Sequence, residues 1–281
     1  MDNVQQGPFP LDYNGYVASQ AWMRLNKYHI DVINLEKEIK AMDVSAPAAH
    51  AIVKKVNTCF WKMQQHQLET KGLFFVTEGI DGVGKSTQHR LLVERLMGGE
   101  REVISTREPG GTPTAEKIRE FMFAGGDQWH PTTDLLLMLA ARNEHIEGLI
   151  KPAMDNGDIV VSDRFCLSTL ALQGASGVDD QLIRETHKLL FNALTPDLTI
   201  ILDMEPGDAQ QRLDARSDGN FIDHRDLDYH TRVRDIYTQF AYERLPWGDT
   251  ILVSALGSVE DVHERIWVEV IKRYPFLEER D

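Results

Sequence analysis

One short stretch of this sequence leaves little freedom in how the chain around it folds. Residues 73–77, LFFVT, form an apolar run rich in strand-forming residues, and this run leads directly into EGIDGVGKST at residues 78–87. From Gly79 onward the segment fits the pattern G-x-x-x-x-G-K-[ST]. A strand that is buried on both faces of a parallel sheet has this continuous apolar character. We therefore predict a buried strand, a phosphate-binding loop and a helix in direct succession.

The chemistry of such a loop follows from its residue types. Glycines let the backbone curl so that successive N–H groups point at phosphate oxygens, and the helix that follows adds its positive N-terminal end. Lys85 is expected to reach the β- and γ-phosphates of ATP, and the Ser86 hydroxyl to serve Mg²⁺. The predicted nucleotide-binding residues are Gly79, Gly82, Gly84, Lys85, Ser86 and Thr87.

Strand-like and helical patterns alternate along the rest of the chain. The predicted strands are 73–77, 103–106, 159–162, 198–202 and 250–253. The clearest helical stretches are 86–97, 133–148, 180–193, 227–244 and 258–273. This alternation predicts an α/β fold over residues 72–281, a parallel sheet of about five strands flanked by helices. Ligands of such sheets bind beyond the carboxyl ends of the strands.

Residues 1–71 have a different character. They contain no glycine-rich loop, and their apolar residues recur at helical spacing on both sides of DVSAP at residues 43–47. We predict a helical hairpin that precedes the α/β domain. Its role stays open between packing on the main domain or a second subunit, and partner binding or substrate gating.

The overall composition excludes several classes of protein. The formal net charge is -14, with 44 acidic against 30 basic residues, which argues against binding to long nucleic acids but not to small nucleotides. The 2 cysteines have no metal-ligand spacing, which fits a reducing compartment. No apolar run is long enough to span a bilayer, and no signal peptide is recognisable. We predict a cytoplasmic protein.

Further motifs follow the loop in a fixed order. They are TREPGGT at 106–112, AAR at 140–142, DRFCLSTLALQG at 163–174 and QQRLDARSDGNF at 210–221. Together with the loop, these segments resemble the thymidylate kinase family, which has a G-x-[DE]-G-x-G-K-[ST] loop, an R-E-P-G-G-T segment, an A-A-R or A-N-R turn, a D-R-x-x-x-S segment and an arginine-bearing lid. The resemblance extends over roughly residues 72–275.

A kinase that joins two nucleotides has to hold two polyanions in line, so it needs cations on both sides. Arg107 and Arg164 follow strands that are expected to flank the loop strand, and their forks suit the acceptor's monophosphate. An ion pair with the adjacent carboxylate is the alternative for either arginine. The resemblance implies that Asp163 holds Mg²⁺, with a helix N-cap as the alternative. It also implies that Asp81 fixes the acceptor's sugar and phosphate, with a conformational role in the turn as the alternative.

The charge that stabilises phosphoryl transfer has to come from outside the loop. Some thymidylate kinases carry an arginine within the loop, but the residue here is Val83. The other class of the family places this arginine in the lid, and the matching stretch contains Arg212 and Arg216. We predict Arg216 as the catalytic arginine, ahead of Arg212. The alternative for both is a solvated charge.

The base pocket departs from the family pattern. An aromatic residue that stacks on thymine usually stands four positions before the A-A-R arginine, and the residue here is Met138. A second aromatic residue of the family usually precedes the Q-G turn, and the residue here is Leu172. Arg142 and Gln173 remain, their polar ends fit a pyrimidine edge, and Thr169 is placed to help. Retained thymine binding and an altered acceptor, such as a 5-substituted deoxyuridylate, both stay open, since Met adapts to irregular shapes.

The leading hypothesis is a nucleoside-monophosphate kinase that uses MgATP to make a deoxynucleoside diphosphate, in the simplest case dTDP from dTMP. One alternative is a kinase for a 5-modified deoxyuridylate or for a modified base in DNA, and the negative charge counts against the second of these. A non-catalytic regulatory P-loop protein is an alternative of another class, and the acceptor-side arginines count against it. The resemblance also implies a homodimer packed through helices of the main domain.

Overall fold

The computed structural model describes residues 71–124, 129–191, 194–215, 226–242 and 248–278. Within these residues the chain forms a 5-stranded, all-parallel sheet of order β2-β3-β1-β4-β5. The strands are β1 Leu73–Glu78, β2 Val103–Arg107, β3 Ile159–Asp163, β4 Leu198–Asp203 and β5 Asp249–Ser254. Each predicted strand is present, with its ends within about one residue of those expected. The predicted α/β fold is confirmed.

Helices flank this sheet. They are α1 Lys85–Leu96, α2 Pro113–Ala124, α3 Pro131–His145, α4 Lys151–Asn156, α5 Cys166–Ala175, α6 Asp180–Leu190, α7 Pro206–Asp214, α8 Leu227–Tyr242 and α9 Val259–Arg273. A π-helical turn, Ile146–Ile150, joins α3 to α4, and a short 3-10 helix, Pro275–Leu277, follows α9. The predicted helices correspond to α1, α3, α6, α8 and α9. The sequence analysis named only the clearest helices, and α2, α4, α5 and α7 are not among them.

Burial explains why the strand patterns could be recognised. Strand β1 lies between β3 and β4, and all of its residues are buried. The edge strand β5 has one paired neighbour, and its burial alternates towards its end. A strand with neighbours on both sides and helices over the sheet needs apolar residues on both faces.

The strand order corrects one expectation. The strand that carries Arg107, β2, was expected to lie next to the loop strand β1, but β3 lies between them. The register pairs Thr77 with Asp163, and Asp163 with Arg107, so the carboxyl ends of β1, β3 and β2 form a row. The periodicity of the strands contains no information about this order, because each strand reads as a buried strand wherever it stands.

The predicted hairpin over residues 1–71 lies outside the described residues except for Lys71, and the boundary between it and the α/β domain stays a prediction. In the described part of the chain, no helix has the length and apolar character required to cross a membrane. The predicted homodimer and the cytoplasmic location stay predictions.

Candidate active site

The loop between β1 and α1 is folded tightly against the end of β4 and the helix α7. Gly82 has a φ of 81°, and a Cβ atom there would lie 2.3 Å from the backbone oxygen of Ala209. At Gly79, with a φ of 139°, a Cβ atom would lie 2.6 Å from the oxygen of Leu202. Both positions therefore admit only glycine.

Helix α1 begins directly after this loop. Gly84 is the residue before its first turn, and no side chain in the described part of the chain caps the N–H groups of that turn. Such free N–H groups and the helix dipole attract an anion. Ser86 is exposed and Thr87 half-buried in the same turn. The six predicted nucleotide-binding residues therefore lie together in the loop and the first turn of α1, where Gly79 and Lys85 are buried.

Lys85 is held inside the loop. It is 7% exposed, and its ammonium donates hydrogen bonds to the backbone oxygen of Ile80 at 2.8 Å and to Asp81 Oδ1 at 3.2 Å. Burial and the charge of Arg164 lower the pKa of Lys85, while Asp81 opposes this shift. The lysine therefore reaches the centre of the loop with the partner that stabilises its charge already in place.

Arg164 contacts the same carboxylate from the neighbouring strand end. It lies directly after β3 with a φ of 74°, and its Nη2 donates to Asp81 Oδ1 at 2.5 Å. Although partial burial acts to raise it, the charges of Lys85 and Arg164 hold the pKa of Asp81 well below its usual range. Asp81 therefore joins the loop to the end of β3. Arg164 does not pair with the adjacent Asp163.

A pair of oxygen atoms suited to a hard cation lies beside the loop. The Ser86 hydroxyl is 3.5 Å from Asp163 Oδ2, and Asp163 Oδ1 is buried without a hydrogen-bond partner in the described structure. Asp163 does not cap helix α5, because Phe165 is the N-cap residue. Hydroxyl and carboxylate oxygens, completed by phosphate and water oxygens, are the ligands Mg²⁺ prefers. No group of three or more His, Cys, Asp or Glu side chains in the described ranges could hold a metal alone.

Glu78 is a buried residue of the site that the sequence analysis did not identify. Its Oε1 accepts hydrogen bonds from the backbone N–H groups of Phe165 at 2.9 Å and Ser168 at 3.1 Å, and it thereby caps α5. Its Oε2 accepts from the hydroxyls of Ser168 at 2.6 Å and Tyr237 at 2.9 Å. Burial raises the pKa of Glu78, and the charge of Arg164 opposes this. The feature of the sequence that could have pointed to Glu78 is a charged residue at the end of an apolar strand.

The same hydroxyls support Arg164. Its Nη1 lies 3.0 Å from the Ser168 hydroxyl and 3.3 Å from that of Tyr237. Tyr237 comes from α8, far along the chain, and no local pattern indicates this contact. Glu78 and Tyr237 together set where the guanidinium of Arg164 stands.

A second buried cluster surrounds Arg142. Its Nε donates to Glu108 Oε2 at 2.7 Å, and both side chains are 1% exposed. The other carboxylate oxygen of Glu108 accepts from His145 Nδ1 at 3.0 Å, and His145 Nε2 lies 2.8 Å from the Thr106 hydroxyl. Although burial acts to raise it, Arg142 and His145 lower the pKa of Glu108. Glu108 therefore orients Arg142, and it is not the partner of Arg107.

The predicted base-contacting residues lie where α3 and α5 run antiparallel. Asp134 meets Gln173 at one end, and Arg142 donates to the backbone oxygen of Phe165 at 2.9 Å at the other. Met138 and Thr169 stand four residues along each helix between these contacts, and both are buried. Leu172 is half-buried. Three of these residues each have a buried polar atom without a partner in the described structure: Arg142 Nη1, Thr169 Oγ1 and Gln173 Oε1.

The other arginines differ in their surroundings. Arg107 is 51% exposed, and its Nη2 donates to Glu116 of α2 at 2.9 Å. Arg212, at the end of α7, has its Nη1 3.5 Å from the backbone oxygen of Val83 and its Nη2 3.2 Å from that of Ala255. Arg212 therefore contacts the phosphate-binding loop and is not simply a solvated charge. The predicted catalytic Arg216 lies outside the described residues.

Lys85 of the phosphate-binding loop and Arg164 at the end of the adjacent strand share one carboxylate. This arrangement is typical of a P-loop phosphotransferase, because the two cations can face a donor and an acceptor in line. The chain belongs to the thymidylate kinase family. The sequence model of that family, described as thymidylate kinase, matches residues 77–266.

Individual relatives agree with this assignment. The chain is 42% identical over 202 residues to a thymidylate kinase of Cereibacter sphaeroides, covering 69% of this chain and 92% of that protein. It is 42% identical over 208 residues to a thymidylate kinase of Thermomicrobium roseum, covering 71% of this chain and 96% of that protein. The crystal structure of thymidylate kinase from Ehrlichia chaffeensis is similar with a TM-score of 0.59 and 30% identity, covering 71% of this chain and 99% of that one. This protein is a phosphotransferase of the thymidylate kinase type.

Replacement of the buried carboxylate of Glu108 tests the cluster around Arg142. Glu108→Gln leaves the Arg142 charge buried without its partner, so the free energy of unfolding should fall by about 3 kcal/mol. The measurement is urea unfolding at neutral pH. The matched control is Glu94→Gln, because Glu94 pairs with Arg90 on the surface, and this change should cost less than about 0.5 kcal/mol. Equal losses in the two variants would contradict the prediction.

The same variant has a defined pH dependence. The lowered pKa of Glu108 means that its stabilising contribution is present above its ordinary value of 4.5 and is lost as pH falls through the lower folded value. The stability difference between wild type and Glu108→Gln should therefore be constant well above pH 4.5 and should shrink as the pH falls below 4.5. A difference that grows on acidification would contradict this.

Proposed function

We propose that this protein transfers the γ-phosphoryl group of ATP to dTMP and releases dTDP and ADP. One observation carries the proposal furthest: Asp81 bonds both Lys85, within the phosphate-binding loop, and Arg164, at the end of the neighbouring strand. A donor-side cation and an acceptor-side cation are thereby fixed relative to each other. Fixed geometry of this kind lowers the barrier to transfer, because the reacting groups need no further ordering.

On the donor side, the loop amides and Lys85 hold the ATP phosphates. Ser86 and Asp163 would hold Mg²⁺, which supplies charge neutralisation at the β- and γ-phosphates when it is bound. The unpartnered Oδ1 of Asp163 supports this role, since a buried carboxylate oxygen without a donor needs a cation or water. Arg212 closes the loop from the side of α7.

On the acceptor side, Arg164 and Arg107 bind the monophosphate of dTMP. Arg164 is held by Asp81, Ser168 and Tyr237, whereas Arg107 is half-exposed, pairs with Glu116 and would turn from it to a phosphate. The strand order supports the joint role even though β2 does not adjoin β1, because both arginines still follow neighbouring strands, β2 and β3. A forked guanidinium fits phosphate oxygens in pairs.

The thymine base lies against the antiparallel helices α3 and α5. Arg142 Nη1 donates to a base carbonyl oxygen, Gln173 and Thr169 contact the same edge, and Met138 covers the face in place of an aromatic ring. Leu172 is half-buried beside this face. The flexible side chain of Met138 favours a 5-substituted deoxyuridylate as a second acceptor, since methionine adapts to added volume.

The charge at the transferring phosphoryl group comes from the stretch after α7. Val83 leaves the loop without an arginine, so Arg216 of this stretch supplies the charge.

The resemblance also implies a homodimer, and exposed apolar residues on α2 and α3 support it: Phe121, Phe123 and Leu136. The molecular mass in solution would test this.

The acceptor assignment is tested by ADP release from MgATP with single acceptors. The panel contains dTMP, dUMP, 5-hydroxymethyl-dUMP, dCMP, dGMP, dAMP, UMP and an oligonucleotide with hydroxymethyluracil. We expect the highest kcat/KM with dTMP, because the polar edge of the pocket fits a uracil-type base. Lys85→Ala serves as the blank for contaminating kinases. Turnover with the oligonucleotide alone would overturn the proposal, and so would the lack of turnover with every acceptor of the panel.

Replacement of Arg164 separates the acceptor site from the donor site. Arg164→Ala should lower kcat/KM for dTMP by about 100-fold or more, because a preorganised cation at the phosphate is lost. Binding of ATP, measured by calorimetry, should change little. Arg90→Ala is the control, since Arg90 is an exposed arginine paired with Glu94. Undiminished turnover of dTMP in Arg164→Ala would show that the acceptor phosphate binds elsewhere.

Replacement of Asp163 tests the proposed Mg²⁺ site. Asp163→Asn should raise the Mg²⁺ concentration for half-maximal turnover about tenfold, since one charged oxygen near the metal is lost. Ser86→Ala should shift the same midpoint in the same direction. Asp155→Asn, a change at an exposed carboxylate of α4, should leave it in place. Unshifted midpoints in both Ser86→Ala and Asp163→Asn would exclude this pair as the metal site.

A further inference from the structure

Asp134 fixes which way the amide of Gln173 faces. The two ends of a glutamine amide are equal in size but opposite in hydrogen-bonding character, because NH₂ donates and C=O accepts. In the structure, Gln173 Nε2 lies 2.7 Å from Asp134 Oδ2. An ionised carboxylate only accepts, so it can bind the NH₂ end and not the carbonyl end. The carbonyl oxygen, Oε1, is therefore directed away from Asp134, and it is buried without a partner in the described structure.

A donor stands on the same pair of helices. Arg142 is two helical turns beyond Asp134 on α3, and Glu108 and the backbone oxygen of Phe165 hold two of its nitrogens. Its third nitrogen, Nη1, is buried and has no partner within the described residues. Arginine cannot accept a hydrogen bond. The pair of helices therefore presents one fixed donor and one fixed acceptor, with Met138 and Thr169 between the two levels.

This polarity matches one class of pyrimidine edge. A uracil-type base presents an acceptor, O4, beside a donor, N3–H, whereas cytosine presents a donor, the 4-amino group, beside an acceptor, N3. We propose that Asp134 is a positioning residue that makes the acceptor site selective for a uracil-type edge and against cytosine, by holding the Gln173 amide with its oxygen towards the base. This inference rests on the proposed function, and it names what sets the base selectivity of that site.

A simpler role for Asp134 would give different results. It is an acidic residue in the first turn of α3, where a negative charge stabilises a helix without any effect on the ligand. Loss of that role would lower stability and impair all acceptors alike. Loss of the positioning role would instead change the ratio between acceptors, because Asn at this position accepts or donates, and the Gln173 amide can then turn either end to the base.

The experiment compares kcat/KM for dTMP and dCMP in wild type and Asp134→Asn at saturating MgATP. We expect the dTMP-to-dCMP ratio to fall about tenfold or more, with KM for ATP unchanged, because a site with a mispaired buried polar group discriminates strongly. Asp134→Glu, which restores a carboxylate acceptor, should recover part of the ratio. Asp134→Ala releases the amide in the same way, so it should show the same loss if the Asn variant does not fold.

The matched control is Glu147→Gln, which removes the same charge just after α3 at an exposed residue paired with Lys151. It should leave the ratio as in wild type. The background Gln173→Ala completes a double-mutant cycle. If Asp134 acts through Gln173, then Asp134→Asn has no further effect on the ratio in that background.

The outcomes are distinct. An unchanged ratio in Asp134→Asn and Asp134→Ala, or an equal further fall in the Gln173→Ala background, overturns the inference while the proposed function stands. A wild type that phosphorylates neither dTMP nor dUMP overturns the proposed function and the inference with it.

Discussion

The carboxylate of Asp81 is shared by two cations that come from different parts of the chain. Lys85 reaches it from within its own loop and Arg164 from the next strand, so the distance between the proposed donor and acceptor sites depends on one side chain. This arrangement requires β1 and β3 to be adjacent, which the parallel register provides. An unpaired Arg164 would be costly at this depth, and the shared carboxylate removes that cost before any nucleotide binds.

The same principle recurs around the site, where buried acids hold the groups that would meet ligands. Glu78 caps α5 and, through the hydroxyls of Ser168 and Tyr237, supports Arg164. Glu108 holds Arg142 at 2.7 Å. Low dielectric surroundings make such contacts strong and make unpaired groups expensive, so each acid orients a cation rather than merely neutralising it. An acidic protein can therefore bind polyanions, because its acids lie behind the cations.

Local patterns predicted the parts of this structure that depend on local physics. Central strands are apolar on both faces, and the glycine pattern at residues 79–86 needs one backbone path, so both could be read directly. Strand order could not be predicted in this way, because β2 has the pattern of a buried strand whether or not it adjoins β1. Glu78 was missed, and Glu108 was considered only as a partner of Arg107, because their partners come from α3, α5 and α8 and no sequence spacing connects them. The hairpin over residues 1–71 stays a prediction.

The departures at Met138 and Leu172 change the face of the base pocket and leave its edge. Contact with the face of a base is apolar and tolerates many shapes, so a flexible methionine there changes volume more than selectivity. Contact with the edge depends on donors and acceptors, where a mismatch leaves a buried polar group unpaired. In the proposed complex, Arg142 and Gln173 meet that edge, and each is oriented by a carboxylate of its own. Selectivity between pyrimidines can therefore persist in this chain without an aromatic residue at position 138.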